Sequence, residues 1–143
     1  MVDNCLFSPP GLTSRPFQGF HNVRVLECTG RSLDSRVDVM SMVLYTIPQD
    51  KVLASVYTLK GECSTSDGNF ASCVIDAADS KKTTIKALLT DLLEGEMRVY
   101  GCNVTSFRSG GRVKIITWSL VLRISGKHNI RFFIDVEGKG PSF

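Results

Sequence analysis

The chain has 143 residues and a mass of 15.7 kDa, about the span of one domain, with no room for a second. Hydrophobic residues at 43% and charged residues at 22% exclude a disordered, collagenous or membrane-bundle chain. The net charge is only +3 and the cations are dispersed, so no nucleic-acid partner is expected. Asp3, Asn4, Pro9, Pro10 and Arg15 interrupt residues 1–20, which rules out the apolar run of a secretory signal there. The most apolar later stretch, residues 115–122, is far shorter than a bilayer span, and no membrane insertion by this segment is expected. The chain is therefore either cytosolic or a segment of a longer secreted or membrane-anchored protein.

Taken in chain order, residues 8–11 (SPPG) and Arg15-Pro16 mark an extended lead-in over residues 1–19, with order beginning near Phe20. Residues 23–28 (VRVLEC) put Leu26 and Cys28 on one face and stop at Thr29-Gly30, which predicts a strand. Residues 37–47 (VDVMSMVLYTI) end at Pro48 and have the composition of a central strand. Residues 52–62 continue in the same way, and Cys63 and Cys73 then flank an Asp67-Gly68 turn, which predicts a hairpin. Residues 76–82 (DAADSKK) form a polar connection.

Residues 83–93 (TTIKALLTDLL) fit two periods. Ala87, Leu88, Asp91 and Leu92 suit a helix, whereas Thr83, Ile85, Ala87 and Leu89 alternate as in a strand, and periodicity leaves both open. Residues 98–105 (RVYGCNVT) alternate Tyr100, Cys102 and Val104 against Val99, Gly101 and Asn103, as in a half-buried strand. Ser109-Gly110-Gly111 supplies a turn with positive φ, and residues 112–124 return as a long hairpin partner. Residues 130–136 (IRFFIDV) are one further candidate strand, and residues 126–143 as a whole read as a C-terminal extension or a linker to a following domain. Short strands between turns, with no sustained amphipathic helix, predict an all-β, antiparallel two-sheet sandwich over residues 20–125.

The five cysteines, Cys5, Cys28, Cys63, Cys73 and Cys102, form no CxxC pair and no Cys/His cluster of zinc spacing. His21 and His128 lie in no ligand or catalytic pattern. No metal and no cofactor are expected, and no constellation demands catalysis.

The stretch over residues 83–105 resembles the E-to-F strand region of an immunoglobulin-superfamily domain. Ile85, Ala87 and Leu89 alternate, Leu92 follows, Glu96 precedes a tyrosine by four residues, and Tyr100-Gly101-Cys102 supplies the family's Tyr-x-Cys. The resemblance covers about residues 20–125 and makes residues 83–89 a strand in an immunoglobulin-like sandwich. It implies that Cys28, on the second strand, bridges to Cys102, and that Tyr100 fills the end of the core while its hydroxyl bonds to the corner backbone. Glu96 replaces the usual Asp, and Arg98 stands where Gly or Ala is usual, so the corner departs from the family pattern. The family's core tryptophan is missing after Cys28; Met40 or Met42 must fill that space, while Trp118 is either core or a surface anchor.

With the first bridge so assigned, Cys63 and Cys73 stand opposite each other in a hairpin with one bulged residue, at a span a disulfide can close. Cys5 is left over, for a partner outside this segment or as a reactive thiol. Disulfides place the chain in a secreted or cell-surface setting. Asn103-Val104-Thr105 is an N-glycosylation sequon, and Asn103, next to an inward cysteine, points outward. A glycan there either closes that face to partners or makes a contact depend on the sugar.

The expected function is non-catalytic: an extracellular recognition or adhesion module of a receptor, adhesion or immune-type protein, invertebrate in style, that binds a protein ligand or neighbouring immunoglobulin-like domains. Phe107, Arg108 and Arg112, an aromatic with two arginines beside the last turn, are the candidate contacts. The alternatives are a structural spacer in a multidomain array, a thiol-dependent enzyme using a cysteine with His21 or His128, and an intracellular domain with reduced thiols.

Overall fold

The computed structural model describes residues 9–20, 22–47, 49–66, 70–125 and 129–133; Cys5, His21, His128, the Asp67-Gly68 turn and residues 134–136 lie outside them. Runs of alternating apolar residues become ten strands among the described residues: β1 (Leu12–Pro16), β2 (Arg24–Thr29), β3 (Val37–Ile47), β4 (Val52–Tyr57), β5 (Glu62–Thr65), β6 (Phe70–Val74), β7 (Thr84–Leu89), β8 (Met97–Arg108), β9 (Val113–Ser125) and β10 (Asn129–Phe133). One turn of 3-10 helix, Ser80–Lys82, precedes β7. The strands form an antiparallel sandwich of a four-stranded sheet, β1-β2-β7-β6, and a six-stranded sheet, β10-β9-β8-β3-β4-β5. β1 falls in the expected lead-in and β10 in the expected extension, so the paired strands reach beyond residues 20–125 at both ends.

The period of two sets the core. On β8 the residues Tyr100, Cys102, Val104 and Ser106 are buried while Asn103, Thr105 and Phe107 are only partly covered. Opposite them, β2 and β7 turn Leu26, Cys28, Ile85, Ala87 and Leu89 inward. Residues 84–89 are thus a strand because Ile85 and Ala87 must pair with Cys28 and Leu26 on one side while β6 pairs on the other. Cys28 and Cys102 are bonded across the two sheets with their Cα atoms 6.5 Å apart. Met42 is fully buried on β3, between Val56 of β4 and Val104 of β8. Trp118 is half-buried core: it stands opposite Cys102 on β9, and its ring lies where a Cβ on Gly11 would sit, 2.1 Å away.

Two expectations are corrected. The run over residues 52–62 is broken by a turn in which Gly61 has φ 64° and donates its N–H to the Thr58 carbonyl, so β4 and β5 are separate antiparallel neighbours. Cys63 and Cys73 do bond, but they do not belong to one hairpin: β5 extends the six-stranded sheet while β6 edges the four-stranded one. Cys63 pairs with Val56 and Cys73 with Ile85, both inward residues, so the two cysteines meet across the open edge of the sandwich. Turn residues between two strands signal a reversal of direction, not which strand each will pair with, and here each strand extends an existing edge instead.

Both disulfides therefore hold the two sheets together, one in the centre and one at the edge. In the chain-entropy account the longer loop contributes more, about 4.5 kcal/mol for the central bridge against about 2.8 kcal/mol for the edge bridge. Removing both cysteines of the edge pair (Cys63→Ala with Cys73→Ala) should cost less, in urea unfolding, than removing Cys28 and Cys102; the reverse order would overturn this account.

Candidate functional site

At one end of the sandwich the β8–β9 turn and the β2–β3 connection lie side by side. The β8–β9 turn is closed by the Arg108 N–H on the Arg112 carbonyl and the Gly111 N–H on the Arg108 carbonyl, with Gly110 and Gly111 at φ 108° and 97°, where a side chain would be strained. The β2–β3 connection turns on Asp34, whose carboxylate accepts the Arg36 N–H at 2.9 Å. Its far end is held by the 3-10 turn: Ser80 Oγ accepts from the Val39 N–H at 2.8 Å and donates to Asp38, while Lys81 Nζ reaches the carbonyls of Ser35 and Val37.

Between the two segments is an open groove of about 620 Å³. Leu33, Val37, Phe107 and Ile116 give it an apolar floor, and Arg108, Arg112 and Lys114 a cationic rim around the single carboxylate of Asp34. Asp34 is bonded by Arg36 and, at 3.4 Å, by Arg108. The Arg36 N–H and guanidinium, with Arg108 beside them, hold its carboxyl below the usual range. Arg112 and Lys114 make no side-chain ion pair among the described residues, so the rim has unspent positive charge. Phe107, Arg108 and Arg112 are thus brought together as the turn suggested. Leu33, Asp34, Val37, Lys114 and Ile116 were missed; the Asp34-Ser35-Arg36 turn was their one signal in the sequence.

The opposite end carries the corner residues. Tyr100 is 3% exposed, and burial raises its hydroxyl pKa. The link from Tyr100 to the corner runs through Arg98, whose guanidinium lies at the hydroxyl and also donates to the carbonyls of Thr90 and Asp91. Glu96 accepts from Arg98 through both oxygens, at 2.8 and 3.2 Å, and from the Leu93 N–H at 3.0 Å. Glu96 and Arg98, an acid and a base two residues apart, thus close the loop together. Nearby, Arg24 is buried on the inner row of β2, where desolvation lowers its pKa to about 10 and Ser14 Oγ accepts from its Nε at 2.8 Å.

Asn103 lies on the outer face of the six-stranded sheet, between Val43 on β3 and Thr117 on β9. No cluster of metal-ligating side chains occurs among the described residues, and none of their helices is long and apolar enough to cross a membrane. The sequence matches no family model and no curated protein.

Arg98, by its hydrogen bonds, lowers the Glu96 pKa. The stabilisation is therefore full above the unfolded carboxylate range and is lost as the pH falls through the lowered folded value. Glu96→Gln should destabilise the protein by about 1 kcal/mol at neutral pH, and the difference from the parent should vanish towards pH 3 in urea unfolding. A constant difference at every pH would show that charge does not hold the corner.

Proposed function

We propose that the chain is an immunoglobulin-like recognition domain that works outside the cell and binds a protein ligand through its loop end, without catalysis. The observation that carries the reading is the groove formed by the β2–β3 and β8–β9 segments, with its apolar floor and its cationic rim. Aromatic and arginine side chains in a partly desolvated pocket are the composition of interface hot spots. The rim favours a ligand that presents a carboxylate beside an apolar side chain, because Arg112 and Lys114 have charge to offer and Leu33, Val37 and Ile116 have surface to cover.

The strand order supports the family reading. β1-β2-β7-β6 follows the A-B-E-D order of one immunoglobulin sheet, and β9-β8-β3-β4-β5 follows the G-F-C-C′-C″ order of the wider sheet of variable-type domains. In that arrangement the β2–β3 and β8–β9 segments occupy the positions of loops that bind ligands in variable domains. Two inter-sheet disulfides favour an oxidising compartment.

The test presents the secreted domain as a multimer to a panel of cell-surface ectodomains. A binder should emerge whose affinity falls roughly tenfold or more with Arg108→Glu plus Arg112→Glu and weakens with added salt, while Lys86→Glu on the four-stranded sheet leaves it unchanged. A binder indifferent to the loop-end variant, or none at all, as a spacer would give, would overturn the reading.

A further inference from the structure

In the middle of the six-stranded sheet's outer face, two hydroxyls converge on one amide. Tyr45 Oη and Thr117 Oγ1 each donate to Asn103 Oδ1 at 3.0 Å, one from each neighbouring strand. Tyr45 can lie flat there because the residue opposite it is Gly101, where a Cβ would come within 2.5 Å of the ring. Both lone pairs of Oδ1 are engaged in this orientation of the amide. Its Nδ2 then points away from both donors. Among the described residues Nδ2 donates to no group and Thr29 Oγ1 is the sole buried, unpartnered side-chain polar atom, so Nδ2 meets solvent. Two residues on, past the fully buried Val104, Thr105 returns to the same outer face. Asn103-Val104-Thr105 is the one Asn-x-Ser/Thr triplet in the chain.

We propose that Asn103 carries an N-linked glycan that stands on this face; the proposal rests on the extracellular reading above. In the transfer, Nδ2 forms a bond to the anomeric carbon of an oligosaccharide carried on a lipid pyrophosphate. The bond from that carbon to the pyrophosphate oxygen breaks, the amide gives up one proton, and the lipid pyrophosphate leaves. The reaction consumes an N–H that makes no hydrogen bond and leaves Oδ1 with both of its donors. The folded site therefore accepts the sugar without losing a contact, and Tyr45 and Thr117 aim it outward. Its first residues would shield Val43 and Ile115, the latter 54% exposed. That closes the outer face to a docking partner and leaves the loop end as the open recognition surface.

The full chain is secreted from a eukaryotic host, its free thiols are blocked, and its peptides are mapped before and after release of N-glycans in H₂¹⁸O. Asn103 should be recovered mostly as ¹⁸O-labelled Asp. Asn103→Gln and Thr105→Ala should each lose the mass of one glycan, while Thr105→Ser keeps it; Thr105→Ala leaves the Asn103 amide in place and guards against a folding defect. Unmodified Asn103 in protein with both disulfides formed overturns this proposal and leaves the extracellular reading standing. Unmodified Asn103 in folded protein with free thiols overturns both.

Discussion

The covalent link between Cys28 and Cys102 joins the inner rows of the two sheets at the centre of the core, where side-chain packing is all that otherwise holds them. Because side chains alternate with a period of two, one fixed inward residue on β2 and one on β8 decide the facing of every other residue on those strands. Ladder pairing then carries that choice outward, to β7 and β1 from β2 and to β3 and β9 from β8. Met42, Leu44, Ile85, Leu120 and Leu122 become core by this propagation, all of them fully buried. A slip of one residue in any ladder would turn the whole inner row of that strand to water.

The two ends of the sandwich use polar groups in opposite ways. At the corner, Arg98 satisfies itself on Glu96 and on two backbone carbonyls, and the charge is consumed in closing the loop. At the loop end, one aspartate is shared between two arginines, while Arg112 and Lys114 make no side-chain ion pair among the described residues. Surface ion pairs of this exposure stabilise a fold little. Their placement over an apolar groove bears more on recognition than on stability, and it makes one end of a nearly neutral molecule the electrostatically distinctive one.

The faces differ as well. The six-stranded sheet is wider than the four-stranded one, and the edge is closed by the Cys63–Cys73 bond, which ties β5 to β6 across the gap. On the outer surface of the wide sheet, Gly101 makes room for Tyr45, and Tyr45 fixes Asn103. One missing Cβ thus orders a patch that spans three strands.

Much of this was legible in the residues. Strict alternation around Tyr100-Gly101-Cys102 identified β8, the two glycines after Ser109 identified its turn, and the composition of residues 37–47 identified β3, because each signal is local and a period of two is hard to mimic. The corner residues and the arginines of the last turn were visible for the same reason. What tertiary structure alone decided was partnership. β7 took its place between β2 and β6, Cys63 and Cys73 met between sheets instead of within a hairpin, and Trp118 packed on Gly11, more than a hundred residues away. The groove depends on two loops distant in the chain, so neither loop's sequence could announce it. Local pattern determines which residues turn inward, whereas which inward residues meet is settled only by the free energy of packing the whole core at once.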